Sequence, residues 1–398
     1  MILTVDETRY DDAHQRDCAR VSALLSGNEP HSRATVADKL RMTSTTTSRV
    51  VGDLIERRLV VEQAGVKIGR GRPPVQIALN PQRLGGTVIH ISSRSLLGFL
   101  SDLSGTILER RIVDIPPDAD NAAMAGAMRH LVQALVEKCP VEMKHLGTSV
   151  SVSGVVDVQN RQWLLTSRWP NVRNLDIEAA LAAVTPAVLV CRHLDAELDA
   201  RTSQEPSYRS GSTLLLHWGW GIGLSCSVNG QPLVQASGQF GEIGHWRFNM
   251  LEQRTCGCGN HGCLETGAAL WALLPRLREI WPELSDEEEP LAEQLAGLPL
   301  MELSEVTVAI NLMARSLANV CRLLFPTRAI ITGPFVANAS VWNAFETAFQ
   351  SEGVMGSLQL PTLIADKFSQ DYAVHGALRP LLNAGLETFL LETRRTAP

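Results

Sequence analysis

Between residues 14 and 57 apolar side chains recur at helical intervals in three short bursts. Cys18, Val21 and Leu24-Leu25 mark one side of a helix over 14–26, which Asn28-Glu29-Pro30 ends. Ser32 is placed to cap a second helix running through Leu40, with Ala34, Val36, Ala37 and Leu40 for a core. After the turn Arg41-Met42-Thr43, Ser44 reads as the cap of a third helix to about Arg57. Val50, Val51, Leu54 and Ile55 form its buried face, while Thr45, Thr46, Ser48 and Arg49 keep its first turns polar. Two short helices, a brief turn and a helix with a polar N-terminal end make a helix-turn-helix. The period then changes. Leu59-Val60-Val61-Glu62-Gln63 and Val75-Gln76-Ile77-Ala78-Leu79 read as a strand pair, joined through a glycine-rich tip over 65–74.

From Gly85 the pattern becomes α/β. Apolar runs at 87–91, 96–100 and 106–113 predict three strands joined by tight turns such as Asp102-Leu103-Ser104-Gly105. A helix is expected at about 120–138, strands at 146–152 and 187–191, and helices at 264–280, 303–325 and 370–384. Strand runs followed by crossover helices, once before and once after about residue 195, predict two similar lobes facing a cleft. The chain divides on this reading into 1–80 and 81–398. Trp271, Leu274 and Trp281 fall at near-helical spacing and read as core, and Leu390-Leu391 can cover an apolar seam. The acidic run Asp286-Glu287-Glu288-Glu289 reads as a solvated loop between helices.

Composition narrows this little: 398 residues, 45% hydrophobic and 20% charged, describe a folded chain of two or three domains rather than a disordered one. The first residues lack a basic segment followed by an apolar core, and no apolar run approaches a membrane span. Cys18, Cys139, Cys191, Cys226 and Cys321 sit among apolar neighbours, as buried thiols in a reducing compartment do. A cytoplasmic protein is expected. Charge adds more. Nine bases against four acids give residues 30–74 a net +5, so the rest of the −6 chain carries −11. Arg70 and Arg72 occupy the tip between the two strands, where a wing reaches a phosphate or a narrow minor groove. Helix-turn-helix, wing and local positive charge together point to DNA as a partner. The expected contacts are Ser44, Thr45, Thr46, Ser48, Arg49, Arg70 and Arg72.

The densest chemistry lies at 241–265. Cys256, Cys258 and Cys263 fall close together, separated by glycines that permit tight turns, with His245 upstream. Thiolate and imidazole are the ligands of a structural zinc, and these four close a tetrahedral site. His261, inside the loop, is the competing fourth ligand. Three is an odd number to pair as disulfides, and Cys256 and Cys258 are too close for an easy bridge.

Glu-x-Gly-His followed by Cys-x-Cys-Gly-x-x-Gly-Cys-Leu-Glu resembles the signature of the ROK family of repressors and sugar kinases. The resemblance implies a two-lobed actin/hexokinase-like (ribonuclease H-like) fold, a structural zinc in this loop, and a sugar site lined by Glu242, His245 and Glu265. It also makes Asp195 the counterpart of the family's catalytic base, with Leu194 in place of the neighbouring amide. Carboxylates and imidazole suit carbohydrate hydroxyls, though packing around zinc would also account for them. The phosphate-binding parts depart from the kinases. His90-Ile91-Ser92-Ser93-Arg94 stands where they carry Asp-x-Gly-Gly-Thr, Trp220 interrupts Gly219-Trp220-Gly221-Ile222-Gly223, and Gly333-Pro334 replaces a Gly-Gly pair. Gly-Arg-Gly-Arg-Pro after the third helix resembles the family's repressors, as kinases lack that domain. The expectation is a non-enzymatic, sugar-responsive repressor acting as a homodimer or homotetramer on a palindromic operator. The rival readings are an ATP-dependent sugar kinase with an added domain, and a regulator controlled by a protein partner.

Overall fold

The computed structural model describes residues 3–27, 29–64, 75–92, 94–233, 240–366 and 369–392. Helices α1 (Ala13–Leu25), α2 (Arg33–Leu40) and α3 (Ser44–Glu56) stand where the periodicity put them. Each opens on a side-chain oxygen that accepts from an otherwise unpaired first-turn amide: Asp12 from Gln15, Ser32 from Thr35, Thr43 from Thr46. The cap of α3 is therefore Thr43 rather than Ser44, which is already helical. Arg41, at φ 54°, turns the chain between α2 and α3. Strands β1 (Val60–Ala64) and β2 (Val75–Leu79) pair antiparallel, and His31 exchanges two backbone hydrogen bonds with Ile77 beside them. The segment that joins β1 to β2, with Arg70 and Arg72, lies outside the described residues.

The rest is mixed α/β with one topology used twice. In the first lobe β3 (Leu84–Ser92), β4 (Ser95–Asp102) and β5 (Ile107–Asp114) form an antiparallel meander. After α4 (Asn121–Val136), β6 (Lys144–Val152) joins β3 in parallel, and β10 (Val188–Arg192) joins β6. A small sheet of β7 (Val155–Asp157), β8 (Gln162–Leu165) and β9 (Arg173–Asp176), with α5 (Ile177–Leu181), fills the interval. Helix α6 (His193–Gln204) leads to the second lobe. There β11 (Ser212–Trp218), β12 (Ile222–Val228) and β13 (Gln231–Pro232) repeat the meander. α7 (Glu265–Ala268), α8 (Leu270–Ile280), α9 (Glu288–Leu295) and α10 (Ser304–Leu324) precede β14 (Arg328–Thr332), which is parallel to β11. After α11 (Ala339–Gly353), β15 (Thr362–Ala365) is parallel to β14. The orders β10-β6-β3-β4-β5 and β15-β14-β11-β12-β13 are the same.

Two helices differ from their expected extents. The run 264–280 is broken at Ala269, whose extended backbone (φ −77°, ψ 157°) separates α7 from α8. Helix α12 (Gln370–Leu391) continues seven residues beyond 384, because Leu386, Phe389 and Leu390 are buried against the N-terminal helices. One apolar cluster joins Cys18, Val21, Val50 and Leu54 to Val88, Leu378, Leu382 and Phe389. The Arg57 guanidinium lies 4.6 Å from the Phe389 ring centroid. The first half of α12 crosses α6 so closely that a Cβ on Gly376 would stand 1.7 Å from the Ala196 carbonyl oxygen. The helix thus touches the cleft wall at one end and the N-terminal helices at the other.

Candidate functional site

Within the second lobe, the turn Gly219-Trp220-Gly221 between β11 and β12 presents Trp220 and Gly221 to the cleft. Glu265, at the start of α7, is buried beneath it: one carboxylate oxygen accepts the Ile222 amide at 3.0 Å, and the other the Trp271 indole N–H at 3.4 Å. Trp271 packs against the apolar core of the second lobe, as its spacing suggested, but is only partly buried and is fixed beside the cleft. Glu242 precedes the short turn Ile243–His245 and sits 3.7 Å from the Arg192 guanidinium. Burial raises the Glu242 carboxyl above its usual range, against the pull of Arg192 and His245.

The expected quartet is only partly assembled. Glu242, His245 and Glu265 line one cavity between the lobes, together with Thr166, Arg168, Arg192, His193, His217 and Trp220. Asp195 does not line it. Its carboxylate accepts from the Ser225 hydroxyl at 2.7 Å and faces Arg192 at 3.4 Å. Arg192 also donates to the Leu224 carbonyl at 3.1 Å. Asp195 holds Arg192 in place, and the side chain presented to the cavity at the head of α6 is His193.

The acidic run at 286–289 is not all solvated. Glu288 is buried, 3.0 Å from His217 Nε2 and 3.5 Å from Arg168, and accepts the Trp220 amide at 2.5 Å. Burial alone would raise its carboxyl, but His217, Arg168 and the Trp220 amide outweigh that and hold it at about 2. His217 is correspondingly raised: Glu288 and Glu197 overcome its burial. His193 stands between His217 and His90, with ring centroids 6.0 and 6.5 Å apart. Burial drives His193 well below its usual range and His90 down to about 4. Arg192, His193, His217 and Glu288 were not read as site residues. For Glu288 the signal was present, since Leu291 and Leu295 follow at helical spacing and are both buried, so all three share the inward face of α9.

Below the cavity, His245, Cys256, Cys258 and Cys263 bring their ligand atoms within 4.8 Å of one another. His245 Nδ1 lies 3.6 Å from Cys256 Sγ, and Cys258 Sγ 3.7 Å from Cys263 Sγ. Gly259 (φ 93°) and Gly262 (φ 76°) make the turns that fold the three thiols together. Such a cluster can hold a metal ion, with the Nε2 of His245 left for the cavity. His261 is turned away, 3.3 Å from the Thr255 hydroxyl.

On α3, Ser44, Thr45, Ser48 and Arg49 are exposed on one face and Thr46 is half-buried, while Thr47, Val50, Val51 and Leu54 are buried.

With lobes, cleft and thiol loop in view, the class of the protein follows. The chain belongs to the ROK family, whose model matches residues 83–382. Among individual relatives, it is 26% identical over 274 residues to the xylose repressor of Caldicellulosiruptor bescii, the match covering 65% of each chain. It is 22% identical over 279 residues to the DNA-binding transcriptional repressor Mlc of Escherichia coli, covering 69% of this chain and 68% of that one. To the dual regulator NagC of Escherichia coli the identity is 23% over 292 residues, covering 71% and 69%. The chain thus spans about two thirds of the lengths of these relatives. In three dimensions it resembles a ROK family transcriptional regulator, described as a homolog of E. coli Mlc, with TM-score 0.73 at 20% identity over 97% and 99% of the two chains. A ROK glucokinase from Streptomyces griseus matches with TM-score 0.59 at 19% identity, over 74% of this chain and 98% of that one. Both share the fold. No described helix is long and apolar enough to cross a membrane.

Proposed function

We propose that the protein is a transcriptional repressor that binds operator DNA through residues 1–80 and a sugar or sugar derivative through the cleft, without phosphorylating it. The relatives named as repressors support this reading. The observation that carries it is Glu288 in the loop Gly219-Trp220-Gly221. A kinase needs backbone amides there to receive a phosphoryl group. Here an ionised carboxylate already occupies the Trp220 amide, and would repel that group. Gly333 reinforces the point: it holds φ 120°, its Cβ would stand 2.1 Å from the Trp218 carbonyl oxygen, and Pro334 follows without an N–H.

The first helices and hairpin form a winged helix-turn-helix on this reading. The exposed Ser44, Thr45, Ser48 and Arg49, with Thr46, face the major groove, and Arg70 and Arg72 reach the backbone or minor groove. Glu242, His245 and Glu265 hydrogen-bond sugar hydroxyls. Asp195 acts by positioning Arg192. Sugar binding closes the lobes, and α12, shared by cleft and N-terminal helices, carries the change to two reading heads of a homo-oligomer. The metal is a structural zinc. A tetrahedral site with Zn–S of about 2.3 Å and Zn–N of about 2.0–2.1 Å has edges of about 3.6–3.8 Å, and the His245–Cys256 and Cys258–Cys263 separations, 3.6 and 3.7 Å, support it. When bound, it fixes the loop that bears His245.

The test combines footprinting of operator DNA, elemental analysis and a kinase assay on the full chain. Expected are protection of a palindromic site with a steep salt dependence, about one zinc per chain that Cys258→Ser removes, and no ATP turnover above background. Turnover of ATP with any hexose would overturn the non-enzymatic reading, and absence of a footprint would overturn the DNA reading.

A further inference from the structure

Outside the inner cavity lies a second chamber of about 470 Å³, separated from it only by Ser167, Arg168 and Trp220, which line both. Its walls carry three guanidiniums, Arg94, Arg168 and Arg278, against one carboxylate, Asp286. The three cations are not equally committed. Arg278 donates twice to the Leu284 carbonyl and pairs with Asp286 at 3.0 Å. The Arg168 guanidinium is almost wholly buried, yet among the described residues its side-chain polar contacts end at Glu288, 3.5 Å away. Glu288 is better placed on His217 and the Trp220 amide, so Arg168 keeps most of its five N–H donors for the space it faces. Arg94, on the turn between β3 and β4, forms no ion pair or side-chain hydrogen bond among the described residues. Burial chiefly disfavours the Arg168 charge and the nearby Arg94 adds to it, against the pull of Glu288, Glu287 and Glu265. Two like charges facing one cavity are costly unless an anion joins them.

The remaining walls suit a sugar carbon skeleton. Trp220 and Trp271 both line the chamber, and Trp220 lies 5.7 Å from the Arg168 guanidinium carbon. Trp271 is held by its bond to Glu265, so this wall is anchored to a residue of the inner cavity. A guanidinium pair recognises planar or tetrahedral oxyanions through paired N–H donors, which a neutral hydroxyl satisfies poorly.

We propose that the outer chamber binds the anionic group, carboxylate or phosphate, of an acidic saccharide between Arg94 and Arg168, with Trp220 and Trp271 against its carbon skeleton. This rests on the reading of the inner cavity as a sugar site. It narrows the effector from any sugar to one carrying negative charge.

The experiment titrates the full-length protein with hexuronates, aldonates and hexose phosphates beside their neutral parent sugars, and with inorganic phosphate alone. Tryptophan fluorescence and the midpoint of thermal unfolding are the readouts. At least one acidic saccharide is expected to bind tenfold or more tighter than its neutral parent. Arg94→Gln should erase that preference, and Arg94→Lys should keep part of it. Uronate against phosphate within the panel identifies the oxyanion. A neutral parent that binds as tightly, or a preference that survives Arg94→Gln, overturns the proposal. If no saccharide of either charge binds, inorganic phosphate decides. Arg94-dependent stabilisation by phosphate keeps the anion site and removes the sugar reading, whereas no stabilisation removes both.

Discussion

The outer face of α3 and the floor of the cleft carry similar side chains, hydroxyls and charges, and commit them in opposite ways. Ser44, Thr45, Ser48 and Arg49 are exposed and make no side-chain hydrogen bond among the described residues. Around the inner cavity the charged groups are held by partners: Glu265 by Ile222 and Trp271, Glu288 by His217, Arg168 and Trp220, Arg192 by Asp195 and Leu224. Free polar groups lose little when they exchange water for a polyanion, and suit a surface that must bind and release. Held groups are oriented before a ligand arrives, and their burial makes each one expensive to disturb. Equal changes in the two places must therefore have unequal effects on stability.

The largest difference is expected at Glu288. Replacing it with alanine leaves His217 and Arg168 facing each other across a buried site without their carboxylate, a loss of about 3–5 kcal/mol by analogy with broken buried pairs. Ser48→Ala, on the exposed face, should stay within about 0.5 kcal/mol. Urea denaturation of both variants measures this. Comparable midpoints would mean that the cleft floor is not the preorganised network described.

The next effect is on pH dependence. His90 titrates at about 4 in the folded chain because burial excludes its charge, with Arg168 adding to the shift. Its unfolded value is the ordinary one, near 6.5. Below that value the unfolded chain takes up a proton that the folded chain refuses, so His90 costs stability as pH falls from 6.5 towards 4. Buried His193 adds to the loss in the same direction. Glu288 contributes the opposite way in sign of charge but not in trend: depressed to about 2, its support for the fold is full above its unfolded value and is lost progressively as pH falls from there through about 2. For His90 the full loss is on the order of 3 kcal/mol. His90→Asn should flatten the unfolding free energy between pH 6.5 and 4.5. An unchanged slope would place the titrating groups elsewhere, and the contrast with α3 would lose its electrostatic half.

The two regions were also unequally legible in the sequence. The N-terminal helices announced themselves because local signals sufficed: periodic Val50, Val51 and Leu54, a cap, a turn. The thiol loop was equally plain, since its ligands lie within one stretch and only glycines could fold it. The cleft was half visible. Glu242, His245 and Glu265 stand beside that loop in sequence, and the structure brings them to one cavity. His90, Arg168, His193, His217 and Glu288 meet only when both lobes are folded, and no local pattern links residues 198 positions apart. Asp195 was misplaced for a related reason: proximity to a strand end predicts approach to the cleft, but two residues, about half a helical turn, decide whether Asp195 or His193 faces it.

A smaller effect tests the boundary between the two regimes. Thr43 belongs to the exposed side yet is committed: its hydroxyl accepts the Thr46 amide at 3.1 Å and bonds the Thr46 hydroxyl at 2.9 Å. Thr43→Ala should therefore cost about 1 kcal/mol, more than Ser44→Ala or Thr45→Ala, whose side chains hold nothing. Denaturation midpoints of the three variants give the ranking. The same set, titrated with operator DNA, should give the reverse order, because uncommitted Ser44 and Thr45 are the groups free to reach phosphate or base edges. A variant series in which the stabilising hydroxyl is also the one most needed for DNA would show that fold and recognition are not divided between different side chains of α3, and the contrast with the cleft would fail at the residue where it is sharpest.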